Sequence, residues 1–234
     1  MSISKFRKAS ELIHRVNPYD NFPANDWKLN IKRFTEDTTL FQKLILDIKP
    51  QLIIEVGSWM GYSAISMAEV IEKNNFDCGI ICVDTWLGAR EFWSTNQETI
   101  GWWNYSNYEH FKSQNDDLQL VNGYPSVYYQ FLANVVHKGY NNYITPFPQT
   151  SSIAGRWFKS NNINADFIYI DGSHEYEDVA NDIKNYWQVL NSGGIMIGDD
   201  YLIVDVKIAV DEFVDKNGLS VNIDQSPFWY IVKE

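Results

Sequence analysis

The chain is poor in cysteine, short of basic charge and without any long apolar run. Its 234 residues include only two cysteines, Cys78 and Cys82. Two cysteines this close, the second inside an apolar run, do not make a disulfide framework. With no clustered histidine beside them they do not make a metal site either. Free thiols in a reducing compartment are expected. Lysine and arginine number 19 against 30 acids, a net charge of -11. Such a surface repels phosphate backbones and anionic headgroups, so neither nucleic acid nor a membrane surface is an expected partner. No stretch approaches the length of a membrane-spanning helix. The first residues carry charge with no apolar run behind them, so no secretory signal is expected and a cytoplasmic location is. There is no internal repeat and no low-complexity tract. The length suits one sizeable core with a small appendage.

What the chain does have is an alternation of apolar runs and amphipathic stretches. The runs at 52–56, 79–84, 143–147, 167–171 and 195–198 read as strands. The stretches at 62–73, 152–159, 175–190 and 206–216 read as helices. Strands alternating with helices predict a parallel sheet covered on both faces. The end departs from this rhythm: 219–223 and 228–232 flank Asp224-Gln-Ser-Pro227, a hairpin signal. Residues 1–50 read as a helical cap on the sheet. It includes a helix that carries Leu40, Phe41, Leu44, Ile45 and Ile48, entered at Thr35 or Asp37 and stopped by Pro50. Residues 51–234 form the main domain. Within it, about 86–142 is longer than a usual crossover. Much of the chain's aromatic content, 15% in all, gathers there, including Trp86, Trp102, Trp103, Tyr105 and Tyr108 amid Asn, Gln, Ser and Gly. Such a mixture suits a lid that stacks on sugar faces, and equally a satellite core or a subunit contact in a homo-oligomer.

Two sets of residues carry chemistry. In the first, the strand at 52–56 runs into Glu55-Val-Gly-Ser-Trp-Met-Gly-Tyr-Ser63. A glycine loop between strand and helix lets a ligand approach the backbone at the positive helix end. The spacing Gly57-x-x-x-Gly61 is not the three-glycine dinucleotide fingerprint, which weighs against a nicotinamide oxidoreductase. Glu55 is a carboxylate in an apolar strand and is expected to accept hydrogen bonds from the loop or from a ligand. Asp84 ends the second strand, where this fold class holds a ribose diol, and Trp86 is placed to lie on an adenine face. In the second set, Asp166-Phe-Ile-Tyr-Ile-Asp-Gly-Ser-His-Glu-Tyr-Glu-Asp178 is answered by Gly193-Gly-Ile-Met-Ile-Gly-Asp-Asp200. Both are apolar runs ending in acid. Neighbouring parallel strands open onto one crevice at their carboxyl ends. Asp171, Asp199 and Asp200 are therefore expected to meet there with His174 beside them. Clustered carboxylates repel unless a cation or a proton sits between them. This makes a candidate hard-metal site with a base attached.

In this order, the motifs resemble class I S-adenosylmethionine-dependent methyltransferases over roughly residues 51–234. Asp171-Gly-Ser-His174 with Asp199-Asp200 is similar to the macrocin and mycinamicin type of sugar O-methyltransferase. The resemblance implies an α/β, Rossmann-like sheet of seven mostly parallel strands with an antiparallel last strand and helices on both faces. It implies magnesium (or manganese) held by Asp171, Asp199 and Asp200, with His174 as the base beside Asp171. The cofactor candidates are Glu55, Gly57, Ser58, Tyr62, Ser63, Asp84, Thr85, Trp86, Thr150 and Ser151. The function expected is metal-dependent methyl transfer to a hydroxyl of a sugar or glycoside. The alternatives are a catechol-like small-molecule acceptor and a non-catalytic glycan- or cofactor-binding module. The long aromatic insertion and the N-terminal cap have no secure counterpart in that group.

Overall fold

The computed structural model describes residues 4–32, 39–93, 118–223 and 227–234. Seven strands form one sheet: β1 (Leu52–Val56), β2 (Gly79–Asp84), β3 (Ile144–Pro148), β4 (Ala165–Ile170), β5 (Leu190–Gly198), β6 (Asn222–Ile223) and β7 (Trp229–Val232). Their order across the sheet is β3-β2-β1-β4-β5-β7-β6. The first five pair in parallel, while β7 runs antiparallel to β5 and β6 antiparallel to β7. The mostly parallel sheet with reversed closing strands is the one expected. Central strands covered on both faces are apolar at nearly every position, which is why β1 apart from Glu55 and β4 after Asp166 read as apolar runs.

The side chains alternate between two cores. Ile53, Ile80, Cys82, Phe167, Tyr169 and Ile197 face one of them. There they meet α2 (Thr39–Ile48), α3 (Tyr62–Lys73) and α4 (Val127–Lys138). Leu52, Ile54, Ile81, Ile168 and Met196 face the other. Opposite them lie α1 (Lys5–Ile13), α5 (Ser151–Ser160), α6 (Tyr176–Trp187) and α7 (Val204–Asn217). The N-terminal fifty residues therefore straddle the sheet, with α1 on one face and α2 on the other. The Phe6 ring occupies the space a Cβ on Gly79 would need, 2.2 Å away, and Ser10 Oγ meets Thr145 Oγ1 at 2.8 Å. The expected entry caps of α2, Thr35 and Asp37, lie outside the described residues, as do the hairpin residues 224–226.

Several boundaries differ from the sequence reading, among them the start of β5, at Leu190 and not 195, and of β6, at Asn222 and not 219. The stretch read as insertion contains α4, a crossover helix that buries Val127, Phe131, Leu132 and Val135 and ends at Gly139 in the left-handed conformation. The helix expected to reach residue 190 stops at Trp187, because the chain must turn for β5 to begin at Leu190 opposite Ala165. Among the described residues no helix is long and apolar enough to cross a membrane.

Candidate active site

The glycine loop is wedged between strand tips. Gly57 has φ +85, and a Cβ there would stand 2.0 Å from the Asp171 carbonyl oxygen. Its N–H donates to Val83 O at 2.9 Å, while the Asp171 N–H donates to Val56 O at 2.8 Å. The loop and the acid motif thus share one sheet edge and touch. Glu55 is fully buried. It accepts from the Ser58 and Ser63 hydroxyls at 2.5 Å each and from the Cys82 thiol at 3.3 Å. Burial pushes its carboxyl above the usual range, and these donors pull it partly back. Its two oxygens hold the loop, the first of the two partners expected for it.

Asp84 is similarly committed. Its Oδ2 accepts the Ser58 and Trp59 N–H groups at 2.9 and 2.8 Å, and Oδ1 accepts that of Trp86 at 2.7 Å. Burial raises its carboxyl against the lowering effect of these amides. The Trp86 ring offers no open platform for an adenine. It is buried against Tyr128 and Phe131 at 5.0 and 4.9 Å, and its Nε1–H donates to Trp59 O at 2.7 Å. Its φ of +52 turns the side chain inward. Thr85 Oγ1 accepts from Leu87 N at 3.2 Å. Tyr62 lines a separate groove with Leu29, Ile31 and Gln42. Thr150 caps α5 by accepting from Ile153 N at 3.3 Å. The Ser151 hydroxyl bonds to buried Asp182, and its carbonyl accepts from Tyr186 OH at 3.1 Å.

The second set of residues behaves differently. Asp171 follows β4 on the same side as Tyr169, whose hydroxyl donates to Asp171 Oδ2 at 2.7 Å. His174 Nε2 lies 2.8 Å from Asp200 Oδ2. Asp171, His174 and Asp200 each offer a ligand atom within 4.8 Å of the others. Asp199 lines the same crevice but falls outside that tight set; its Oδ1 accepts the Asp200 N–H at 2.7 Å. All three expected carboxylates therefore line one crevice with His174. The Asp171 carboxyl is held well above the usual range, first by burial and then by the Asp199 and Asp200 charges; Tyr169 and His174 offset this only in part. Trp229 walls the crevice. Its ring lies over Gly198, where a Cβ would come within 2.4 Å. Ser173 sets the entry to α6, accepting from Glu175 N at 3.2 Å and donating to Asp178 at 2.9 Å.

The start of the aromatic segment crosses between the two sets. Phe92 stacks on Trp59 of the glycine loop at 4.6 Å, and Arg90 pairs with Glu175, next to His174, at 2.8 Å. Residues 94–117, with Trp102, Trp103, Tyr105, Tyr108 and His110, lie outside the described residues.

A family model described as a methyltransferase domain matches residues 54–201, from the strand that carries Glu55 to just past the paired acids. The chain belongs to this methyltransferase family. The crystal structure of CalS11, a calicheamicin methyltransferase, is similar over 99% of this chain and 94% of that one, with a TM-score of 0.58 and 15% identity. An O-methyltransferase from Bacillus cereus, solved in complex with SAH, is similar over 97% of this chain and 91% of that one, with a TM-score of 0.54 and 13% identity. A shorter likeness, 44% identity over 36 residues, is to the uncharacterized protein R132 of Acanthamoeba polyphaga mimivirus; it spans 15% of this chain and 16% of that one. Family and fold are those of class I S-adenosylmethionine-dependent methyltransferases.

Sequence reasoning missed Tyr169, Asp182 and Arg90 in this methyltransferase. Period-two alternation along β4 points to Tyr169, since it must share a side with Asp171. Arg90 carries no local signal, because its partner Glu175 is 85 positions away.

Proposed function

We propose that the chain is a divalent-cation-dependent O-methyltransferase that transfers a methyl group from S-adenosylmethionine to a hydroxyl of a sugar or glycoside. The observation that carries this is the meeting of Asp171, Asp200 and His174 within 4.8 Å, on the edge where the glycine loop touches Asp171. The donor chemistry fits a hard ion. Carboxylate oxygens suit magnesium or manganese, and a carboxyl raised by burial and then by two neighbouring acids is a site that a cation would relieve. Asp171 and Asp200 would hold the ion, with Asp199 adding charge. A bound divalent cation supplies positive charge that lowers the pKa of an acceptor hydroxyl. S-adenosylmethionine supplies a methyl group already attached to a sulfonium leaving group.

The chain's own residues then have two tasks. The first is to orient the acceptor and donor, since an in-line displacement gains most from positioning. Gly57 and Gly61 set the loop path, and Glu55 and Asp84 lock it. The second task is to remove the hydroxyl proton. His174 is the base: its Nε2–H is directed at Asp200 Oδ2, 2.8 Å away, which leaves Nδ1 to take the proton, with Asp200 stabilising the imidazolium. Trp229, Val179 and Val206 form apolar walls that limit water.

S-adenosylmethionine is supported by the family and by SAH in the Bacillus cereus neighbour. The sugar acceptor is supported by the likeness of Asp171-Gly-Ser-His174 with Asp199-Asp200 to sugar O-methyltransferases, and by the composition of residues 86–142. Methyl transfer from labelled S-adenosylmethionine to a panel of glycosides and catechols, with and without chelator, tests the proposal. Chelator-sensitive labelling of a glycoside is expected. Labelling of catechols alone, or transfer indifferent to chelator, would overturn it.

A further inference from the structure

We infer that Tyr169 is a positioning residue for Asp171, its hydroxyl fixing the orientation of the carboxylate that would bind the cation. The inference rests on the cation reading proposed above. Tyr169 is fully buried in the middle of the sheet. Its strand is flanked on both sides, opposite Glu55 of β1 and Ile197 of β5, so its backbone has little freedom. Its ring is caged edge-on by Phe41 of α2 at 4.7 Å and by Phe228 at 6.4 Å. Phe41 and Phe228 also meet each other edge-on, at 5.1 Å.

For packing alone, phenylalanine would serve. Burying a hydroxyl among rings is costly unless it is bonded. The Tyr169 hydroxyl recovers that cost in one bond, to Asp171 Oδ2 at 2.7 Å. With one carboxylate oxygen tied to a rigid donor, Asp171 cannot rotate freely, and its other oxygen keeps a set direction. Groups that hydrogen-bond a metal's ligands orient them, and their loss typically weakens metal binding about 10–100-fold. The N-terminal helix α2 thus reaches the reaction centre indirectly, through Phe41 and the Tyr169 ring.

Tyr169→Phe keeps the ring and its cage and removes only the bond. Calorimetric titration of manganese into wild type and Y169F, each saturated with S-adenosylhomocysteine, gives the ion affinity. The same instrument gives the S-adenosylhomocysteine affinity, and thermal unfolding reports on packing. We expect manganese to bind Y169F about 10-fold more weakly or worse, while S-adenosylhomocysteine affinity stays within about twofold and the fold is retained. Wild-type manganese affinity in Y169F would overturn the positioning role and leave the cation reading standing. A wild-type protein that binds no manganese would remove the cation reading and the Tyr169 role with it.

Discussion

Two pairs of strand tips carry acids in this protein, and the acids are held in opposite ways. At the β1–β2 tips, Glu55 and Asp84 are met by hydroxyls, a thiol and three backbone N–H groups. At the β4–β5 tips, Asp171 faces Asp199 and Asp200, and the donors include Tyr169 OH to Asp171, His174 beside Asp200 and the Asp200 N–H to Asp199. Buried carboxylates are tolerated where hydrogen bonds replace water. The first pair is satisfied within the fold and acts as scaffold. The second gathers carboxylates whose mutual repulsion a proton or a cation would relieve, and it is where the proposed chemistry is placed.

The comparison breaks first at Asp200. Asp200→Ala is expected to lower metal-dependent turnover by about 10³-fold or more, the several kcal/mol attributed to a bound cation, with cofactor affinity within a few-fold. Steady-state kinetics with and without chelator, beside a cofactor titration, checks this; full activity in chelator would contradict it. His174→Ala is expected to cost about 10²–10⁴-fold in turnover, the usual worth of a general base, with manganese binding by calorimetry retained but weakened about 10–100-fold, as expected when Asp200 loses its partner. If manganese binding is lost along with turnover, His174 is a ligand and not the base.

At the scaffold edge the expected losses are structural. Gly57→Ala forces a side chain into the Asp171 carbonyl at positive φ, and we expect denaturant unfolding to show a loss on the order of 3 kcal/mol. Gly139→Ala, also at positive φ but with open space around it, serves as the control and is expected to lose about 1 kcal/mol.

Asp182 sharpens the comparison from a third position. It is buried, receives one hydroxyl, from Ser151, and burial raises its carboxyl to about 7. An unfolded aspartate titrates near ~3.9. The folded state therefore binds the proton more tightly, and its stability relative to the unfolded chain falls as pH rises from about 4 to about 7. Asp182→Asn is expected to flatten that slope and to stabilise the fold at pH 8 by a few kcal/mol, on the order of the linkage energy. Urea unfolding at pH 5 and at pH 8 reads it; an unchanged slope would mean that Asp182 does not titrate in this range.

Much of this was legible in the sequence, for identifiable reasons. Strands buried on both faces must be continuous apolar runs, and acids at their ends must gather at one edge. The parallel sheet and the approach of Asp171, His174 and Asp200 follow from that, and the reversed closing strands follow from the turn signal at 224–227. What escaped depends on single dihedral angles and on distant partners. The φ of +52 at Trp86 turns its ring into the core, so an aromatic two residues past a strand acid became packing. The φ of +61 at Asp200 breaks the strand alternation, and sequence alone does not say which of two consecutive acids then meets His174. Helix α4 was hidden because Tyr128 and Tyr129 made its aliphatic stripe look like more of the aromatic segment.

Anomalous scattering from a crystal grown with manganese and S-adenosylhomocysteine tests the account most directly. The prediction is one manganese peak bounded by Asp171 and Asp200, on the side of the sheet where the glycine loop carries the nucleoside. A crystal with S-adenosylhomocysteine in place and no peak between those two carboxylates would contradict it.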